Sequence, residues 1–225
     1  ESVIPMIGGS VFFMLLAWAV FSASAKRILP SLIIGIVLSA WLASSVLLSQ
    51  ESFFLKLSLF PLPNIGLLFV PIIIGTIILA KSKFFQNIVD NLSQPWLIAI
   101  QLNRVMGVTF LTLYSQGLMP AEFALPSGIG DIIVGVTAPI VAFILFARPI
   151  FGRKLAIGWN IIGFLDLTLA IILGFFTSPT PYQQLALDNP NWFLFAFPLA
   201  LIPTFAVPLS LLLHIFSLRV LLKKY

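Results

Sequence analysis

PWLIAIQLNRVMGVTFLTLY, residues 95–114, decides the fold class. It has the length and apolarity of one bilayer crossing, since ~30 Å of hydrocarbon at 1.5 Å per residue takes about 20 residues. Yet Arg104 stands near its middle, with Gln101 and Asn103 beside it. A charged side chain at the centre of a membrane helix costs roughly 2.5 to 3.5 kcal/mol on insertion scales. If the stretch crosses a membrane, its arginine must turn into a helical bundle and meet a carboxylate there.

The rest of the chain supports the crossing. Of 225 residues, 60% are hydrophobic and only 8% charged, and the mean hydropathy is +1.13, which excludes a soluble domain. The sequence predicts an all-α integral membrane protein, one transmembrane domain over residues 1–225, with seven helices near Ile4 to Ser24, Leu29 to Leu48, Ile65 to Ala80, Trp96 to Tyr114, Gly128 to Phe146, Leu155 to Phe176 and Trp192 to Ile215. Backbone polar groups in lipid must be satisfied within each helix, which is why only such runs qualify. Sorting the connecting segments alternately puts Lys26, Arg27, Lys81, Lys83, Arg148, Arg153, Lys154, Arg219, Lys223 and Lys224 on one side and Lys56 on the other. The positive-inside rule then makes the amino terminus external and the carboxy terminus cytoplasmic. Trp96 and Trp159 fall at predicted inner boundaries and Trp192 at an outer one, as interfacial anchors do.

Several chemistries are excluded. The net charge of +5 lies between apolar runs and not on one face, so nucleic acid is not an expected partner. Without cysteine there is no thiolate metal site or nucleophile, and one histidine, His214, cannot build a histidine cluster. The last span, WFLFAFPLALIPTFAVPLSLLLHIF (192–216), has no lysine for a retinal Schiff base. No HExxH, GxSxG or phosphate-binding glycine loop occurs. No catalytic residue, metal or cofactor is assigned; His214, placed near the inner end of its span, reads as an interfacial hydrogen-bonding group.

The halves resemble each other. FPLPNIGLLFVPIII (60–74) aligns without gaps with FPLALIPTFAVPLSL (197–211), LIIG (32–35) with LAIG (155–158), and IPMIGG (4–9) loosely with LPSGIG (125–130), in the same order. Residues 1–90 and 121–225 therefore read as two three-helix repeats in parallel, joined by a linker helix within 91–120. This three-plus-one-plus-three layout resembles the SWEET and PQ-loop carriers, although neither triplet has their Pro-Gln pair. In wording, RVMGVTFLTLYSQGLMPAEFALPSGIGDIIVG (104–135) and IPTFAVPLSLLLHIFSL (202–218) are similar to bacterial seven-span proteins of unassigned function, and that resemblance implies a bacterial inner membrane. Parallel repeats recur in transporters, with the substrate site near the midplane between halves.

Three charged residues fall inside the predicted spans: Arg104, Asp131 and Asp166. Arg104 lies about 12 Å beyond Trp96 and Asp166 about 16 Å beyond Leu155 at the helical rise, so these two are expected to form an ion pair. Asp131, three residues past Gly128, is expected in an outer vestibule that Arg104 reaches only by snorkelling. One cation and two acids leave a carboxyl that must be protonated, bind a cation or face water. An aspartate hydrolase would need both acids to share a proton, which their different predicted depths oppose. Gln101 and Gly107 flank Arg104 at three-residue spacing, and glycine permits close helix approach. Asn160, off the face of Asp166, is expected to bond a neighbouring helix. Pro61, Pro71, Pro198, Pro203 and Pro208 interrupt the paired third helices and are candidate hinges. The expectation is a small-molecule transporter or permease whose midplane site, Gln101, Arg104, Asp131 and Asp166, takes an anionic or zwitterionic solute, with a protonatable carboxyl for coupling. The alternative is a non-catalytic subunit or scaffold that packs against lipids, pigments, partner membrane proteins or a second copy. A polar cavity beside Arg104 separates the two.

Overall fold

The computed structural model describes residues 3–25, 28–51 and 62–223, and every regular element among them is helical. α1 (Val3–Ala25) packs on α2 (Ile28–Gln50), and α3 (Leu62–Lys81) turns by 98° into the short α4 (Lys83–Asp90). The next crossing is composite: α5 (Gln94–Ala99), a 3-10 stretch over Ile100–Gly107, and α6 (Val108–Ser115). Two long helices follow, α7 (Ala121–Ala147) and α8 (Pro149–Thr177). A 3-10 turn at Phe193–Phe195 and a π-helical turn at Ile202–Ala206 then lead into α9 (Val207–Lys223). Among the described residues six segments are long and apolar enough to cross a membrane, and α3 with α4 reaches that standard only as a bent pair.

The bend between α3 and α4 has a local cause. Ser82 is extended and its Oγ accepts the Phe85 N–H at 3.2 Å, an N-cap that starts a new helix. α4, KFFQNIVD, buries Ile88 and Val89 and keeps polar groups outward. At its end Asp90 accepts from Arg219 Nε at 3.2 Å and Lys223 Nζ at 2.6 Å. Arg153 Nε donates to the Leu221 carbonyl at 2.6 Å, so the α4, α7–α8 and α9 termini meet at what we call the basic end. The Thr177–Asn191 loop marks the opposite, loop end. Between them α9 is the central helix: residues 208–214 are all buried, as a helix apolar on all sides requires. Phe12, Ile36, Phe143 and Ile162 point outward, where lipid would solvate them.

Three boundaries differ from expectation, each at a proline or glycine. α7 starts at Ala121 instead of Gly128, because Pro126-Ser127-Gly128, which reads as a turn, lies within the helix. α8 starts at Pro149 instead of Leu155, with proline in the first turn, where its missing donor costs nothing. Trp159 is therefore not an interfacial anchor: it is buried in the bundle, its Nε1 donating to Thr137 Oγ1 at 2.9 Å. The last candidate span runs from Ile202, not from Trp192, because three prolines deny the backbone a regular ladder. Phe197–Pro198 is cis. The Leu199 carbonyl, which Pro203 cannot serve, accepts the Ile202 N–H at 2.9 Å. The Thr204 carbonyl, which Pro208 cannot serve, accepts Trp41 Nε1 at 2.9 Å and Ser45 Oγ at 3.4 Å from α2. Pro71 lies inside α3, and Pro61 falls outside the described residues.

The composite crossing and α7 touch at glycines. A Cβ on Gly107 would stand 2.5 Å from the Asp131 Cβ and 3.0 Å from the Gly128 carbonyl, whereas one on Gly158 would meet nothing within 4 Å. Gly107→Val should destabilise the detergent-solubilised protein by about 1–3 kcal/mol through overpacking, and Gly158→Ala should change it by less than about 0.5 kcal/mol. Thermal unfolding of the two variants checks this, and equal melting would mean that the helices do not meet there.

Candidate functional site

Gln101, Arg104, Gly107 and Phe110 follow at intervals of three, and all four are buried while Leu102 and Val108 face outward. The 3-10 winding over Ile100–Gly107 explains the first three: at three residues per turn, positions i and i+3 eclipse, so Gln101, Arg104 and Gly107 stack on one line. That line faces α7, α8 and α9.

Arg104 fills the space between them. Its Nε donates to Asp131 Oδ1 at 2.7 Å, and its Nη2 contacts Asp166 Oδ2. Its Nη1 donates to the Gly163 carbonyl at 3.1 Å and faces His214 Nε2 at 3.5 Å. Three helices thus converge on one guanidinium whose side chain is 3% exposed. The two acids lie at one level: Asp131 is ten residues on from Ala121, and Asp166 eleven before Thr177, about 15 and 16 Å from the loop end at the helical rise. The expected vestibule position of Asp131 is corrected accordingly. The earlier start of α7 carries it to mid-bundle, where the arginine meets it without snorkelling. With the guanidinium set between the acids, they do not form the proton-sharing dyad that an aspartate hydrolase needs.

Glycines make the room. A Cβ on Gly130 would strike the Asp166 carboxylate, and one on Gly163 would come within 2.6 Å of His214 Cε1 and 3.2 Å of Arg104 Nη1. Arg104, Asp131 and Asp166 are brought together; Gln101 is buried one turn away, its Nε2 donating to the Ser210 carbonyl at 3.1 Å and its Oε1 without a partner.

From Arg104 the hydrogen bonds run toward the basic end with a fixed sense. The guanidinium can only donate, so His214 Nε2 accepts and Nδ1 carries the hydrogen, given to Asn160 Oδ1 at 2.9 Å. Asn160 Nδ2 donates to the Ala156 carbonyl at 2.8 Å and Ser217 Oγ at 3.1 Å. The Ser217 hydroxyl donates to Gln94 Oε1 at 2.9 Å, and Gln94 Nε2 to the Leu92 carbonyl at 3.3 Å. His214 is wholly buried, not interfacial, because α9 extends to Lys223 and leaves it in mid-helix. Sequence reasoning missed its place in the cluster. The available signal was Asn160 and Ser217, two further polar residues in apolar helices.

On the loop-end side of Arg104 the packing opens. A cavity of about 380 Å³ has Asp131 in its wall with Phe110, Phe123, Leu167, Phe175 and Leu194, and reaches Ser178 and Thr180. A second space of about 40 Å³ lies against Arg104, Asn103, Gly107 and Ser210 and shares Asp131, Phe110 and Leu167 with the first. The smaller one has room on the order of one or two waters.

Residues 62–222 match the model of a Domain of unknown function (DUF8737), a segment that holds every member of this polar cluster from Gln94 to Ser217. The chain belongs to that family. No curated protein and no solved structure matches it. α1 and α2 lie outside the family domain and contribute no residue to the ion cluster, although Trp41 and Ser45 brace the Thr204 carbonyl.

The charges predict an asymmetry within the domain. Arg104→Ala leaves two buried carboxylates facing each other and should cost about 3–5 kcal/mol. Asp131→Asn or Asp166→Asn leaves one cation paired with one anion and should cost only about 1–2 kcal/mol. Denaturant or thermal unfolding in one detergent compares them; asparagine variants as unstable as Arg104→Ala would show that charge balance does not govern the cluster.

Proposed function

We propose that the chain is a small-molecule transporter or permease-like protein of seven crossings, the bent α3–α4 pair supplying the third, with Arg104, Asp131 and Asp166 as its site. The observation that carries this is the 380 Å³ chamber leading from Ser178 and Thr180 at the loop end to the Asp131 carboxylate at mid-bundle. A structural clamp needs its charges paired and its surroundings filled; a carrier needs a route to them. On the basic side of Arg104 the space is taken by His214, Asn160, Ser217 and Gln94, so access is one-sided, as one state of an alternating-access cycle requires. With the basic end cytoplasmic, the chamber faces outward.

Coupling follows from charge. One guanidinium and two carboxylates sum to −1, and one proton on either acid restores neutrality, so proton and solute compete for a carboxylate. The parallel repeat supports a rocking motion: α3 and α9, the third helices of the two triplets, pack on each other, and Pro71, Pro198, Pro203 and Pro208 are placed to bend there. The membrane of a bacterium is the setting we assign.

The scaffold reading has one observation in its favour. α1 and α2, outside the family domain, expose Phe12, Ile28, Leu29 and Ile36, a face for lipid, a second copy or a partner membrane protein. Proteoliposomes decide between the two. With an imposed pH gradient and radiolabelled alanine, lactate and tetraphenylphosphonium as zwitterion, anion and cation, one of the three should accumulate at least tenfold above protein-free vesicles and lose that uptake in Asp131→Asn and Arg104→Ala. If none does, transport is abandoned and the scaffold stands.

A further inference from the structure

The expectation of an anionic solute presumes an arginine free to bind it. In the structure Nε, Nη1 and Nη2 of Arg104 are all engaged, by Asp131, Gly163, His214 and Asp166. The side chain is 3% exposed, against 13% for Asp131 and 15% for Asp166. What the chamber meets first is therefore a carboxylate. An entering anion would face like charge and would have to displace one acid from a guanidinium that three helices hold in place.

The wall selects further. Phe110, Phe123, Phe175, Phe176 and Phe195 ring the chamber, and its polar groups are confined to Asp131 at one end and Ser178 and Thr180 at the other. Aromatic faces attract cations and suit an apolar body, and about 380 Å³ falls within the range of small-molecule pockets. We infer that the chamber binds a monocationic amphiphile, an apolar or aromatic body with one positive charge directed at Asp131. This inference deepens the transport reading and rests on it only for movement across the membrane. A cation brings the cluster from −1 to zero, as a proton does, so the two exclude each other. The charged and titratable groups around Asp131 are Arg104 from the 3-10 stretch and Asp166 from α8, with His214 of α9 behind the guanidinium.

Tetraphenylphosphonium and tetraphenylborate share a shape and differ in sign, which makes them the probe pair. With the full chain in nanodiscs and each probe assayed alone, radiolabelled tetraphenylphosphonium should bind saturably, radiolabelled tetraphenylborate should not bind above protein-free nanodiscs, and Asp131→Asn should weaken phosphonium binding at least tenfold. Lowering the pH should weaken binding in the parent protein and not in Asp131→Asn, the probe itself having no titratable group. Ile171→Trp, which narrows the chamber from a position whose neighbour one turn back is Leu167 and not Asp166, should also weaken it and serves if Asp131→Asn does not fold. Equal saturable binding of tetraphenylborate, indifference to both variants, or no saturable binding of tetraphenylphosphonium overturns the inference; the last would leave the chamber to a lipid chain. The two readings fail separately. Binding that depends on Asp131 without uptake driven by a pH gradient removes transport alone, and Arg104-dependent uptake of lactate or alanine without phosphonium binding removes this inference alone.

Discussion

A guanidinium in a medium that cannot solvate it constrains the rest of this molecule. The Arg104 side chain is almost wholly removed from solvent, so the protein surrounds it with two carboxylates, a carbonyl and an imidazole nitrogen. Such an assembly adds little net stability, because desolvating the partners offsets most of the attraction. What it adds is register. Asp131, Gly163 with Asp166, and His214 must arrive at one level from three helices, and a slide by one turn of any of them would leave a charge unmatched in low dielectric.

The irregular backbone follows from that requirement. A regular α-helix rotates 100° per residue, so Gln101, Arg104 and Gly107 would drift around it. Winding the stretch as a 3-10 helix stacks them on one line, which lets one narrow seam present a polar group, a charge and a gap in succession. The gap at Gly107 admits the backbone of α7 at Gly128, and that approach sets Asp131 within reach of Nε. On the opposite wall the prolines before and within α9 leave carbonyls without helical donors, and each is met locally or from α2. Non-helical backbone at membrane depth is tolerated where it is enclosed by protein or lines a cavity, and Leu194, Phe195, Ile202 and Pro203 do line the chamber.

How much of this was legible in the sequence depends on how far each feature follows from local chemistry. Apolar runs of bilayer length identified the long helices, because length and apolarity are one-dimensional properties. The three intramembrane charges were equally legible as to identity, since a charge in an apolar run stands out whatever the fold. Their depths were not. Pro126-Ser127-Gly128 has the composition of a turn, yet it lies within α7, packed against α6 and the 3-10 stretch; the misplacement of Asp131 came from starting that helix at Gly128. The place of His214 was hidden for a related reason. Three prolines made it impossible to say from sequence where the last helix began, and a ten-residue difference at one end moves a side chain from interface to centre. The Gly130 and Gly163 clearances involve partners far apart in the chain and leave no local trace.

The direction of the hydrogen bonds bears on which side of the cluster can act. Because arginine only donates, the order Arg104, His214, Asn160, Ser217, Gln94 is fixed from its first member, and successive bonds of one sense polarise one another. The arrangement points partial negative charge back at the guanidinium from the basic end and holds it by its Nη1 side. Along that chain each acceptor already receives a hydrogen bond from its predecessor. On the loop-end side Asp131 keeps part of its carboxylate toward the chamber, and there, among the described residues, the ion pairs around Arg104 leave a formal excess of one negative charge. The cluster is thus rigid where it is saturated and receptive where it is not. That asymmetry, more than the presence of an arginine, gives the open side of the bundle its chemistry: a positive group or a proton completes the site, and a negative one does not.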